Sequence, residues 1–503
     1  MKQDVVIVID CGSTNITMSA VNVQGRIVKS AATPNAPARQ PGVRKAYYIW
    51  DMDALWEKIR RVSNELCDGF PAESIRAVTV TTFGADGTFL DRNGDQVYPV
   101  ISWQCTRTEE TTREVAQMFD PREIYSITGY TIIRFNTLLR FLWLRKHTPG
   151  VFDHADTWLM APGLISYRLT GERSIDSTSA GTMMAVDMKN RVWSGKMLGL
   201  AGMDASFFPP WVEPGETIGT VTARAARETG LPAGVPVIAT GHDTQFALIG
   251  SGARTDQAVL SSGTWEILLV RTDVFSPNDT GYGNGLTFEF DAEPGMWNPQ
   301  LLMMGSGVLE WVRKQFYAAD ESRGDIYRVM IDEAEEVGPT ANNVFFCPTF
   351  VPGTGPLQKY HIPGLIHGLT VTTTRGEIYR SALEGLSFQL NTALEVVRTS
   401  TGFSPAGIRV VGGGAKNMLW NHIRADVTGL PVSVTSQTEI TAIGAAVYAM
   451  KGAGIYGSIE EAYREIDFNE TVIEPSKSRN IYEDKYNRFM SIPKALAKGT
   501  GTA

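Results

Sequence analysis

The sequence predicts an α/β protein of two domains, and three observations carry that reading. Apolar runs of strand length alternate with segments of helical spacing along most of the chain. The 503 residues exceed what a single core usually supports. A strand, a small-residue turn and a second strand occupy 5–23, and the same scheme returns at 258–270 with different residues. That echo, with a polar, Gly-rich stretch at 250–257, puts the domain boundary near 252–257. The expected organisation is a domain over 1–254, a second over 255–457 and a polar helical tail over 458–503.

The elements follow in order. Residues 5–9 are apolar throughout, as in a strand buried on both faces. Residues 16–23 alternate, and 26–30 follow a Gln24-Gly25 turn. Leu55, Ile59, Val62 and Leu66 have helical spacing over 51–67, with Asp51 as its N-cap. A strand at 75–83 turns through Gly84-Ala85-Asp86-Gly87 into another at 88–91. Helices are expected at 136–146, 161–169 and 243–250, the last after a strand at 235–239. The second domain continues through a strand at 408–411, a helix from about 416 and an apolar helix at 440–450. The tail ends in a frayed stretch, 498–503.

Composition excludes several classes. Net charge is −8, so the basic face that nucleic-acid phosphates require is missing. Cys11, Cys67, Cys105 and Cys347 have no paired spacing, which points to a reduced cytoplasmic compartment over a disulfide framework. The six histidines form no HExxH and no Cys/His cluster. No signal peptide and no run of membrane-spanning length is evident, so no membrane partner is expected. Oligomeric state stays open, a homodimer included.

Four motifs carry chemistry. Asp10-Cys11-Gly12-Ser13-Thr14 sits where a buried strand ends. Backbone N–H groups with Ser and Thr hydroxyls suit phosphate oxygens, and an Asp suits Mg²⁺; the alternative is ordinary turn chemistry. Ser262-Gly263-Thr264 repeats the device, against a plain tight hairpin. Gly412-Gly413-Gly414 strips every Cβ where a chain leaves a strand, so a ring or phosphate can lie on bare backbone; the alternative is a flexible turn. Asn417, at the following helix start, can cap that helix or face a ligand. Gly241-His242-Asp243 joins a strand to a helix. Asp243 is either an N-cap or a general base at a strand end, where α/β folds place ligands.

Trp103 and Arg107 offer an aromatic face and a guanidinium fork, which suit a polyol; the alternative is an ordinary half-buried Trp and a solvated Arg. Gly452-Ala-Gly-Ile-Tyr-Gly457 matches GxGxxG but follows a helix, so it lacks the dinucleotide context. GxxxxGK[ST] and the protein-kinase signatures are absent from the sequence.

Taken in order, Asp10–Thr14, Thr82-Phe-Gly-Ala-Asp-Gly87, Trp103 with Arg107, Gly241–Asp243, Ser262–Thr264, Ala382-Leu-Glu-Gly385 and Gly412–Gly414 resemble the FGGY carbohydrate kinases, from about residue 4 to about 455. The resemblance implies two ribonuclease-H-like (actin-like ATPase) domains with ATP and a sugar in a cleft between them. It implies Asp10 for Mg²⁺–ATP, and Gly12, Ser13 and Thr14 for phosphate. Gly263 and Thr264 would form a second phosphate loop, and Gly412, Gly413, Gly414 and Asn417 would line the adenosine side. Asp243 would be the catalytic base, with Asp86, Trp103, Arg107 and His242 beside the sugar. Within the family, segments 81–87, 101–107, 241–247, 260–266 and 306–313 look most like those of the L-fuculose kinase branch. Many members carry an Asp where this chain has Cys105.

The expected activity is therefore ATP-dependent phosphorylation of a ketose primary hydroxyl, with L-fuculose as the best fit. Rhamnulose, xylulose and ribulose kinases are the alternatives within the class. An actin- or chaperone-like ATPase shares the Asp10 device but would not need a placed Asp243 or the Trp/Arg pair. A sugar-sensing protein without catalysis would not need both aspartates.

Overall fold

A computed structural model describes residues 4–43, 45–320, 324–341, 343–435, 437 and 439–499. The expected fray at 498–503 falls outside them from 500 onward. The chain divides into two compact units, each assembled from separate stretches. The first holds residues up to Gly252 together with Glu289–Trp297 and Glu439–Phe468, and the second holds the rest.

In the first unit the strands Thr217–Thr220, Pro236–Ile238, Ile75–Thr82, Val5–Cys11, Asn15–Asn22 and Ile27–Pro34 lie side by side in that order. Val5–Cys11 runs antiparallel to Asn15–Asn22 and parallel to Ile75–Thr82. Val5, Ile7 and Ile9 share a core with Leu55, Ile59, Val62 and Leu66 of the helix Met52–Cys67. Asp51 caps that helix by accepting from the amides of Asp53 and Ala54. Val6 and Val8 point to the opposite face and are equally buried, because the helix Ile440–Gly452 packs on the same strand. The five-residue apolar run is thus covered on both sides.

That helix was expected with the second domain. It lies in the first unit because Gly250 and Gly444 let it approach the helix Asp243–Gly250 closely. A Cβ at Gly444 would stand 1.9 Å from the Phe246 carbonyl oxygen, so only glycine allows this approach.

The second unit repeats the scheme. Trp297–Met304, Trp265–Leu269, Ala258–Ser262, Ile408–Val411, Val432–Thr435 and Glu470–Ile473 follow one another in order, with the antiparallel and parallel pairings of the first unit read from its other edge, Ile27–Pro34. The echo at 258–270 is therefore a repeat of topology. Helix Arg375–Thr401 opens with a capping box, Thr374 with Glu377. The tail was expected to be helical, yet it contains the strand Glu470–Ile473, which takes the open edge of Val432–Thr435. Its long helix, Arg479–Gly499, is held by buried Tyr482 and Phe489 and by Lys485, whose Nζ donates to Glu384 at 2.6 Å.

Candidate active site

In the first unit, candidate residues gather where three strands end. Asp10 stands in register with Thr81 of the parallel neighbour. Thr82 bridges to His242, with the Thr82 amide and the Thr81 hydroxyl both donating to the Gly241 carbonyl at 2.9 Å. Gly241 has φ +151°, and a Cβ there would fall 1.8 Å from Asp176 Oδ1. Glycine is required for this turn to lie against Asp176. The His242 amide then donates to Thr178 Oγ1 at 2.9 Å, and Thr178 donates to Asp176 at 2.6 Å. The Gly241-His242-Asp243 turn is held by backbone and hydroxyl groups, which leaves the Asp243 carboxylate uncommitted to the helix.

Asp243 is the first residue of its helix and does not cap it; His242 occupies the cap position. The Asp243 side chain is 31% exposed, and its Oδ1 lies 3.1 Å from His242 Nδ1. Gly84 faces the imidazole, where a Cβ would come 3.0 Å from Nδ1 and Cε1. Ala85 takes a left-handed backbone, φ +65°, and is held there by Thr182 at its amide and by Thr137 and Arg140 at its carbonyl. Burial, then the charge of Asp243 and that of Glu439, push the Asp10 carboxyl up to about 8. Carboxylates that crowd in this way favour a bound cation or a shared proton.

Gly12 and Ser13 are half-buried and Thr14 is exposed in the turn after Asp10. Asn35 braces the turn, donating from Nδ2 to the Gly12 carbonyl at 2.8 Å and from its amide to Thr14.

Two expected sugar contacts are corrected. Asp86 is fully buried, accepting from Trp50 Nε1 at 2.6 Å, the Trp103 amide at 3.0 Å and Arg140 at 2.7 Å. Burial outweighs Arg140 and these donors and raises its pKa. Arg107 is 5% exposed, stacks on Tyr47 and Trp143, and donates to Cys105 Sγ at 3.1 Å. Both belong to the framework. A carboxylate and a guanidinium cannot stay unpaired in a core, and each found partners inside it. Trp103 is half-buried, with its backbone tied to Asp86.

In the second unit the hairpin turn of Gly263 and Thr264 lies on the start of the helix Ser306–Phe316. The Ser306 amide donates to the Gly263 carbonyl at 2.8 Å, and the Gly305 and Gly307 amides donate to the Thr264 carbonyl at 3.1 Å. Thr264 is exposed, and a Cβ at Gly263 would meet only the Trp265 carbonyl oxygen, at 3.5 Å. The three glycines at 412–414 differ. Gly412 has φ +84°, with the Ser262 carbonyl 2.7 Å from where its Cβ would sit. Gly414 is packed on the Ser262 hydroxyl, 2.0 Å from its would-be Cβ. Gly413 alone faces open space. Asn417 is the N-cap of Met418–Thr428, accepting from the Trp420 amide at 3.0 Å.

Several supporting residues escape a reading of the sequence. Ser262 donates to Glu266 at 2.7 Å and accepts from Arg424 at 2.7 Å, while Arg424 also pairs with Glu266. All three are fully buried and tie both loops of the second unit to one helix. Glu266 carries a signal, a charged residue in an otherwise apolar strand; Arg424 carries none. In the first unit, Glu289, Tyr130 and Gln245 meet behind His242.

With this geometry in hand, comparison with known proteins is decisive. The N-terminal domain model of the FGGY family of carbohydrate kinases matches residues 5–250, and the C-terminal domain model matches 258–453. The chain belongs to the FGGY family of carbohydrate kinases. It is 38% identical over 489 residues to L-fuculokinase of Escherichia coli (strain K12), covering 96% of this chain and 100% of that one. It is 28% identical over 430 residues to the autoinducer-2 kinase of Enterobacter sp. (strain 638), covering 82% and 79%. Among solved structures, the xylulose kinase of Rhodospirillum rubrum matches with TM-score 0.88 at 24% identity, over 98% of this chain and 99% of that chain. Plasmodium falciparum glycerol kinase with ADP matches with TM-score 0.86 at 20% identity, over 98% of both. The two-unit α/β architecture is that of FGGY sugar kinases. Among the described residues, no helix is long and apolar enough to cross a membrane, and the cysteines are free.

Proposed function

We propose that this FGGY kinase transfers the γ-phosphoryl group of ATP to the primary hydroxyl of L-fuculose, giving L-fuculose 1-phosphate. The observation that carries the proposal is the Asp243 carboxylate. It stands partly exposed at a strand end, released from capping, and its charge reaches Asp10. A general base needs that combination of access and fixed geometry. The sugar assignment rests on the identity of 36–38% to L-fuculokinases over most of the chain.

In this reading Asp243 takes the hydroxyl proton, and His242 and Trp103 line the sugar. Gly12, Ser13, Thr14, Gly263 and Thr264 offer backbone and hydroxyl donors to phosphate. Gly413 gives the adenosine side its open backbone; Gly412, Gly414 and Asn417 shape the loop from behind.

Mg²⁺ fits Asp10. No group of three or more ligating side chains gathers among the described residues, so the ion would be held mainly by ATP phosphates. It would offset phosphate charge, and Asp10 would orient it. Domain 1–254 would then be the sugar side and 255–457 the nucleotide side, apart from the helix Ile440–Gly452 of the first unit. We place the enzyme in the cytoplasm, where its four thiols stay reduced.

The test is ADP release with L-fuculose, L-rhamnulose, D-xylulose and D-ribulose. L-Fuculose should give the highest kcat/KM. A buried polar group left unpaired by a misplaced hydroxyl costs about 1–3 kcal/mol, or roughly tenfold to a hundredfold. A clear preference for another ketose would refute the fuculose assignment, and ADP release independent of any sugar would refute the kinase assignment.

A further inference from the structure

Behind Asp243 lies a buried acid that the proposed chemistry does not use. Glu289 is 4% exposed. Its Oε1 accepts from the Tyr130 hydroxyl, and its Oε2 accepts from Gln245 Nε2 at 2.8 Å. Both donors are neutral. His242 Nε2 stands 3.6 Å from Glu289 Oε2, while His242 Nδ1 is 3.1 Å from Asp243 Oδ1. The imidazole thus lies within ion-pair distance of two carboxylates, one buried and one reaching solvent, and its buried Nδ1 has no hydrogen-bond partner among the described residues. Thr244 also donates to Asp243 Oδ1, at 3.3 Å. Asp243 Oδ1 faces the imidazole and the Thr244 hydroxyl, which leaves Oδ2 for a substrate.

We propose that Glu289 is a positioning residue: its buried carboxylate anchors the His242 imidazole from behind, and His242 in turn holds the Asp243 carboxylate with Oδ2 turned to the sugar hydroxyl. The proposal rests on the reading of Asp243 as base. In that step the hydroxyl proton passes to Oδ2 while the sugar oxygen bonds to the γ-phosphorus and ADP departs. Burial opposes a charged imidazole, but Glu289, then Asp243 and Asp176, outweigh it and lift His242 to about 9. Asp176 faces the ring from the segment before the helix Ser177–Gly181, where Thr178 and the Ser179 amide already hold its oxygens. Glu289, like Asp176, is held by neutral donors only, and its Oε2 lies 3.6 Å from His242 Nε2. It arrives from far along the chain, opening the short stretch Glu289–Trp297 that joins the first unit.

The experiment pairs imidazole NMR with pH profiles of kcat on the full chain. With six histidines, the His242 resonance can be assigned by loss in His242→Gln. In the wild type, the His242 titration should fall near 9, and kcat should decline over the same range. In Glu289→Gln both should move down together by about one to three pH units, the usual effect of removing an adjacent opposite charge. kcat at pH 8 should fall about twofold for a one-unit shift and about a hundredfold for three, with the ATP KM unchanged. Glu289→Asp, which keeps the charge, should restore both. His242→Gln should lose the alkaline decline altogether, a result that does not depend on how well Glu289→Gln folds. A His242 titration unmoved in folded Glu289→Gln, or a pH-independent loss of kcat, would overturn the proposal. An alkaline decline intact in His242→Gln would do the same. If the titration moves as expected but no ketose is phosphorylated, the kinase reading has failed and the electrostatic link between Glu289 and His242 stands.

Discussion

Alanine at Gly414 should disable the second unit, while alanine one residue earlier should leave it folded. A Cβ at Gly414 would lie 2.0 Å from Ser262 Oγ, 2.9 Å from Ser262 Cβ and 3.1 Å from the Trp420 ring. The hydroxyl cannot step aside freely, because it donates to Glu266 at 2.7 Å and accepts from Arg424 at 2.7 Å. Rotating it away breaks bonds to two fully buried charged groups. Hydrogen bonds to charged groups contribute about 1.5–3 kcal/mol each. Overpacking adds about 1–3 kcal/mol when neighbours must shift. A loss of roughly 2.5–6 kcal/mol follows if one bond fails and roughly 4–9 kcal/mol if both do. Gly413 meets nothing within 4 Å, so Gly413→Ala should change stability by less than about 0.5 kcal/mol. Calorimetry of both variants would show the Gly414→Ala transition well below the wild type and the Gly413→Ala transition beside it. Ser262→Ala in the Gly414→Ala background removes the 2.0 Å approach but keeps the 2.9 Å one, so rescue should be partial. Equal stability of Gly414→Ala and wild type would refute the packing argument.

Other variants separate framework from chemistry. Asp243→Asn keeps shape and loses basicity, so sugar phosphorylation should fall about 10²–10⁴-fold while ATP binding, followed by calorimetric titration, survives; near-normal turnover would make Asp243 a bystander. Gly263→Val should fold, since only one atom lies within 4 Å of the Cβ position, and should raise the ATP KM; an unchanged KM would remove this turn from the nucleotide site. Arg140→Met strands Asp86 in the core and should destabilise by about 3–5 kcal/mol at pH 7. Asp86 already has a raised pKa, dominated by burial, so the folded state holds its proton to higher pH than the unfolded chain does. The Arg140→Met loss should therefore shrink as pH falls toward the ordinary Asp value of about 3.9, below which both states are protonated. Urea unfolding at pH 5 and pH 7 checks this, and a loss independent of pH would contradict it.

Some of the site could be read directly from the chain. Asp10 and Gly241-His242-Asp243 sit where apolar runs end, and an apolar run that ends in small polar residues places them at strand ends without long-range information. The role of Asp243 could not be read that way. A cap and a free carboxylate have the same local sequence, and only the fold shows His242 in the cap position and Asn417 as the true cap of its own helix. Arg107 was read as sugar-facing because a guanidinium beside Trp103 suits a polyol, and Asp86 because the family resemblance implies it; neither cue carries burial. Arg140, 54 residues after Asp86, supplies the buried partner that removes Asp86 from solvent. Glu289 was invisible because its partners Gln245 and Tyr130 lie 44 and 159 residues away.

By itself the sequence determined the α/β class, the repeated opening device and the strand-end motifs, together with the family they resemble. These depend on periodicity and turn chemistry, which act over a few residues and leave a direct trace in composition. Tertiary structure decided which charges are buried, which of three adjacent glycines faces open space, and that helix Ile440–Gly452 belongs to the first unit. Burial and pairing are properties of contacts between distant segments. A charged side chain's surroundings, and hence its protonation and its work, are set only when those segments meet.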